Sequence, residues 1–215
     1  MAKSTKPKSL PYGQTGATSY KETSLGILSR SKVVQLEAEG IKNALDFIIK
    51  SSNQNAKVTP QLILDIHNVG FGFIFPDWAG RFRTIDVIVG DYEPPHYSQI
   101  PELITNLCSD LAERLKHLAS HEKEEEFLVG IISLLAWFQH RFVWIHPFND
   151  YNGRVARLIT NLLLLNLDLP ITTIKAGTEE DRKNYIEGMK QADKHDFSLL
   201  ETLITNALKE SLEKI

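Results

Sequence analysis

The sequence predicts a mainly α-helical domain with one small β-hairpin, and three observations carry that prediction. Seven segments show apolar patterning of helical type and length. Gly, Pro and aromatic residues crowd into one stretch, 71–95, around the β-branched run Thr84–Val89. The 215 residues, 42% of them hydrophobic, suffice to bury a core without disulfide or metal support.

Taken in order, Val33 to about Lys50 forms a first helix, with Val33, Leu36, Leu45, Phe47 and Ile48 among its apolar positions. Thr59 followed by Pro60 is a start signal, a hydroxyl cap and then proline in the first turn. That second helix reaches about Val69, where Gly70 and Gly72 break it. The run Thr84–Val89 reads as a short strand or hairpin with Asp86, Gly90 and Asp91 near its ends. Ile100 to about Ser120 is a third helix. Glu122–Ile145 is a fourth, apolar on nearly every face and therefore mostly buried. His146–Gly153 is a loop, Arg154–Leu167 a fifth helix stopped by Pro170, and Glu179–Lys194 and Phe197–Lys214 close the fold. No internal repeat is present.

Composition excludes several functions. A net charge of −3 supplies no bulk field for nucleic acid. The single cysteine, Cys108, lies among Leu107, Leu111 and Leu115, reads as a packed thiol, and points to a reducing, cytoplasmic setting. No uninterrupted apolar run reaches the roughly 18–20 residues of a membrane span. Phe127–Phe138 comes nearest before Gln139, His140 and Arg141 end it. Lys3, Lys6 and Lys8 precede no apolar stretch, so residues 1–20 read as a flexible or loosely docked tail, not a signal peptide. His117 and His121 have a zinc-ligand spacing but no third ligand, and read as a solvated helix end. The acids of Glu122–Glu126 complement a helix N-terminus. His67 reads as structural or exposed, and Trp78, Trp137 and Trp144 as core and rim aromatics. Neither glycine-rich phosphate-loop pattern occurs.

The chemistry concentrates at His146–Arg157, where the residues are His-Pro-Phe-Asn-Asp-Tyr-Asn-Gly-Arg-Val-Ala-Arg. Two apolar helices meet there across a loop held from both sides. The start of the second offers free backbone N–H groups and a positive dipole end, which suit an anion. Gly153 lets a phosphate approach the backbone. Asn152 suits the cap position and can donate to a phosphate oxygen. Arg154 and Arg157, three apart, present guanidinium forks on one side. Asp150 is a hard oxygen ligand for a Mg²⁺ that also binds phosphates. His146 can accept a proton from a hydroxyl near neutral pH.

This segment resembles the signature of the Fic/Doc family, His-x-Phe-x-(Asp/Glu)-Gly-Asn-(Gly/Lys)-Arg-x-x-Arg, at seven of its eight specified positions. Tyr151 stands where the family has glycine. If that position needs positive φ, a tyrosine pays a penalty that glycine avoids. Ala79–Arg83, Val87–Gly90, Tyr92–Pro95 and Ile100-Pro101 resemble the region ahead of the family's core, so the resemblance spans roughly residues 31–205. It implies transfer of AMP from ATP to a Ser, Thr or Tyr hydroxyl of a protein, with Mg²⁺. It makes His146 the base, Asp150 the metal ligand, and Asn152, Gly153 and Arg154 the cradle of the α- and β-phosphates. Arg157 would hold the γ-phosphate and Phe148 anchor the loop. Val87, Ile88 and Val89 would form a flap that aligns a target segment by strand addition. Tyr185 would lie beside adenine.

The family's inhibitory helix, (Ser/Thr)-x-x-x-Glu-(Gly/Asn), is similar to Gln35–Gly40, which makes Glu39 the expected brake on Arg157 and Glu37 the alternative partner. The organisation implied is a tail (1–20), an N-terminal segment with the inhibitory helix (21–55) and a Fic-like catalytic domain (56–215), with room left for a homodimer. Other readings are a non-catalytic nucleotide-binding regulatory module, transfer of another phosphate-containing group, and removal of AMP. No DNA-binding module is evident after the core.

Overall fold

In chain order, a two-stranded antiparallel sheet, β1 (Tyr20–Thr23) and β2 (Gly26–Ser29), leads into α1 (Arg30–Ser52) and α2 (Pro60–Phe71). An irregular segment and a single 3₁₀ turn, Tyr97–Gln99, precede α3 (Ile100–Lys116). Then follow α4 (Glu124–Ile145), α5 (Asn152–Asn166), α6 (Glu179–Ala192) and α7 (Ser198–Leu212). The computed structural model describes residues 20–120 and 122–214. The tail expected over 1–20, apart from Tyr20, and His121 lie outside them.

Local signals set the helix starts. The Thr59 hydroxyl accepts the Leu62 amide with Pro60 in the first turn, and Thr178 forms a capping box with Asp181. Helix α4 is long and apolar enough by length and composition to cross a membrane, although the sequence shows no uninterrupted run of that length. Here it packs against α3, α5 and α7, with Phe127, Ile131, Leu135, Phe138 and Phe142 in the core. Each such side chain contributes roughly 1.5–3 kcal/mol by leaving water. Burial raises the Cys108 thiol to about 11, so it remains a packed, protonated group.

Helix α1 packs on α2 and α5. Gly40 permits a close approach to α2, because any Cβ there would overlap the Gly70 carbonyl. This contact fixes both the position and the rotation of α1. Val33, Glu37, Gly40, Ala44 and Ile48 consequently face inward.

The expected hairpin at Thr84–Val89 does not form. That segment has one bridge, Val89 with Tyr92, around a turn in which Gly90 has φ 62°. The paired strands are instead β1 and β2, turning at Gly26 with φ 91°. Among the described residues the 84–89 run has no partner strand. Its neighbours Arg83 and Tyr92 direct their polar groups to the end of α4.

Candidate active site

The loop between α4 and α5 begins where α4 leaves its last carbonyls without intrahelical partners. His146 caps α4 in the left-handed conformation, φ 51° and ψ 59°. Its Nδ1 lies 3.2 Å from the Val143 carbonyl. A carbonyl only accepts, so Nδ1 carries the proton and Nε2 keeps its lone pair. Burial is the main reason its pKa falls to about 4, so the ring is neutral at pH 7.

Three donors from elsewhere hold this turn. The Arg83 amide donates to the Pro147 carbonyl, the Arg83 Nε to the His146 carbonyl at 2.8 Å, and the Tyr92 hydroxyl to the Trp144 carbonyl at 3.0 Å. Further along, Asn152 clamps Phe148, accepting its amide and donating to its carbonyl, both at 2.9 Å. The Phe148 ring is fully buried and stacks on His67 with centroids 3.8 Å apart.

His67, read as structural or exposed, is fully buried and spans two segments. Its Nδ1 accepts the Gly80 amide at 2.8 Å, which leaves Nε2–H to donate to the Asp150 carbonyl at 3.3 Å. Burial first, against weaker opposing effects of Asp150, lowers its pKa to about 4. The unfolded chain therefore binds a proton that the native chain refuses between pH 6.5 and 4. Stability falls as pH falls through that window, by about 3 kcal/mol from this residue at pH 4. Urea unfolding at pH 7 and pH 4 checks it: His67→Gln is expected to lose about 3 kcal/mol less than wild type across the interval. Equal losses would assign the effect to other groups.

Tyr151 occupies the cap position of α5 with φ 65° and ψ 11°. The condition raised for this position, a positive φ, is met, and the expectation that Asn152 is the cap is not. The left-handed residue sits one place earlier, and Asn152 falls in the first helical turn with its amide committed to Phe148. Tyr151 is compensated by packing. Its ring is 6% exposed and stacks on Phe71 at 3.9 Å, with Phe75 and Trp78 each at 5.9 Å. Its hydroxyl donates to Glu37 Oε1 at 2.7 Å. Burial first, and then the nearby carboxylates Glu37 and Asp150, push the phenol well up.

Glu37, on α1, brings a buried carboxylate to the site. It is 2% exposed and accepts from Tyr151 and from Arg30 Nη1, while Arg154 Nη2 lies 2.9 Å from its Oε2. Burial opposes its ionisation, but Arg154, Tyr151 and Arg30 together hold the carboxyl below the usual range. Glu39, the expected partner of Arg157, is exposed. Two residues along a helix turn a side chain by about 200°, so Glu39 faces away once Glu37 and Gly40 face inward. Among the described residues no carboxylate pairs with Arg157. Its guanidinium lies 5.4 Å from the Tyr185 ring centroid. Tyr185 is buried, its hydroxyl donating to Gln139 Oε1 at 2.7 Å, so it forms the wall behind Arg157.

The first bonds of α5 run from the amides of Arg154 and Val155 to the Tyr151 carbonyl. The Asn152 and Gly153 amides ahead of them belong to the group a helix leaves for outside acceptors. A Cβ at Gly153 would meet only the far end of Arg157, at 3.5 Å. Arg154 Nη1 is buried without a hydrogen-bond partner. Asp150 Oδ1 accepts the Tyr151 amide, which fixes the carboxylate beside this helix end. Val87 is buried and Ile88 and Val89 half-buried in the irregular segment; Val87 and Ile88 line a cavity of about 270 Å³ with Asp86, Glu93, Pro94 and His96.

Residues 57–164, half of the chain, match the family model described as the Fic/DOC family. A curated relative, the protein adenylyltransferase Fic of Nematostella vectensis, is 30% identical over 82% of this chain and 38% of its own length. The chain thus spans well under half of the curated relatives it matches. Among solved structures, a Fic-domain signalling protein of Bacteroides thetaiotaomicron superposes with a TM-score of 0.68 at 20% identity, covering 82% of this chain and 69% of that one. The BepC protein of Bartonella tribocorum, solved with bound AMPPNP, superposes with a TM-score of 0.62 at 19% identity, covering 90% and 93%. These two likenesses establish the shared fold. With the family match over residues 57–164 and the motif residues gathered on the loop from α4 to α5, the chain belongs to the Fic/DOC family.

Proposed function

We propose that this protein transfers AMP from ATP to a hydroxyl of a protein. One observation carries the reading: a neutral histidine and the open N-terminus of α5, flanked by two arginines, are joined by a single rigid loop. The target hydroxyl attacks the α-phosphorus, an O–P bond forms, the bond to the β-phosphate oxygen breaks, and pyrophosphate leaves. His146 Nε2 takes the hydroxyl proton. The Gly153 and Asn152 amides and the two guanidinium groups face the phosphates, as helix N-termini and arginine forks do. The curated relatives named protein adenylyltransferase and the AMPPNP bound to BepC support the nucleotide.

The donor set fits Mg²⁺ delivered with the nucleotide. Mg²⁺ is commonly held by one or two carboxylates plus phosphate oxygens, and Asp150 supplies one carboxylate beside the helix end. When bound, the ion would neutralise phosphate charge.

Glu37 is proposed as a brake acting on Arg154, in place of the expected Glu39 acting on Arg157. Its buried negative charge occupies one edge of the Arg154 fork and repels a polyphosphate. Incubation with Mg²⁺ and ATP labelled at the α- or the γ-phosphate, followed by mass spectrometry, tests the function. AMP mass with α-label is expected. Phosphate mass with γ-label, or no modification even after Glu37 is replaced, would overturn it.

A further inference from the structure

We infer that Arg83 is a positioning residue for the transfer reaction, tying both ends of the flap segment to the backbone of the His146 turn. The inference rests on the functional reading above. Arg83 is completely buried, and every arm of its side chain donates to a main-chain carbonyl. Nε reaches His146 at 2.8 Å, Nη1 reaches Ile85 at 2.8 Å, and Nη2 reaches Pro95. Its own amide reaches Pro147 at 2.9 Å. One planar group therefore fixes where the flap leaves the core, where it returns, and where the base stands.

Two structural needs meet at this residue. The last carbonyls of α4 lack helical partners, and a buried carbonyl left unpaired is costly. His146 has φ 51°, a conformation that non-glycine residues hold only when neighbours impose it. Arg83 and Tyr92 supply donors to Trp144, His146 and Pro147, which satisfy the helix end and hold the left-handed turn together. Since the same guanidinium binds Ile85 and Pro95, flap and histidine move as one body. A target segment laid along Val87–Val89 then meets His146 at a fixed distance. Asp86, 3.6 Å from Nη1, adds a weak, half-exposed counter-charge, so the carbonyls do most of the holding.

Lysine at this position keeps the charge, but its three N–H groups leave one nitrogen, so they cannot reach carbonyls set around the guanidinium's Nε, Nη1 and Nη2. The test uses the full chain as wild type, Arg83→Lys and Tyr92→Phe, each also carrying Glu37→Gln so that the proposed brake does not mask rates. Turnover and ATP affinity are measured separately, with amide hydrogen exchange of segments 84–97 and 144–148. Arg83→Lys is expected to lower kcat on the order of 10²-fold, as a small misplacement of a catalytic group does, with the Kd for ATP changed less than about threefold. Exchange in the two segments is expected to rise together while α1 and α2 stay protected. Tyr92→Phe is expected to act in the same direction, more weakly. An unchanged kcat, a parallel loss of ATP affinity, exchange rising in one segment alone, or exchange rising throughout the molecule would overturn the inference. If the Glu37→Gln protein with Arg83 and Tyr92 intact transfers no AMP, the functional reading fails by itself. The exchange data then decide the tether: a joint rise supports it and separate rises overturn it.

Discussion

Replacing His146 with alanine is expected to lower the proposed AMP transfer by roughly 10²–10⁴-fold, the typical worth of a general base, with ATP binding within about threefold. The prediction follows from the division of labour at the loop. On the proposed function the imidazole would face the hydroxyl, whereas the α5 N-terminus, Gly153 and the arginines would face the phosphates. Alanine removes the ring and leaves the backbone bonds that hold the turn, because those run to the His146 and Pro147 carbonyls. With the histidine pKa at about 4, the neutral base is fully present above pH 5. Wild-type rate should therefore be flat on this group's account from pH 6 to pH 8. Isothermal titration with a non-hydrolysable ATP analogue and a labelling assay make the measurement. Transfer that persists in the alanine variant would remove His146 from the chemistry.

Glu37→Gln is expected to raise transfer by about 10- to 150-fold. Taken at roughly 1.5–3 kcal/mol, the worth of a contact between charged groups, the 2.9 Å Glu37–Arg154 ion pair would withhold Arg154 from phosphate by that amount. Glutamine keeps a partner for the Tyr151 hydroxyl and removes the charge that opposes the nucleotide. The variant is also expected to unfold more readily, by about 1–3 kcal/mol, since Arg154 loses its buried counter-ion. Arg30 adds little to that cost because it is 41% exposed. Glu39→Gln, on the exposed side of α1, is expected to change transfer less than twofold. A fall in activity on replacing Glu37 would mean that it orients Arg154 productively, and the brake would be withdrawn.

The two predictions bear differently on Tyr151. A glycine there would adopt the left-handed turn at no cost, yet it would leave Glu37 without its phenol partner and empty the aromatic nest of Phe71, Phe75 and Trp78. The tyrosine thus exchanges backbone ease for a link between α1 and the N-terminus of α5.

Sequence by itself determined the seven helices, the cap at Thr59, and the concentration of chemistry at His146–Arg157. Helical periodicity, capping and a short contiguous motif are local, so their physics is written in neighbouring residues. Tertiary structure decided what depends on rotation and on distant partners. The motif at Gln35–Gly40 pointed to Glu39, but the close approach of Gly40 to Gly70 sets the rotation of α1 and turns Glu37 inward. The β-branched run at Thr84–Val89 promised a strand, but strands need a partner edge, and among the described residues its region finds only the Val89–Tyr92 bridge. Arg83 and His67 carried no local signal. Their roles arise from carbonyls more than sixty residues away, at His146 and Asp150, that only folding brings within reach.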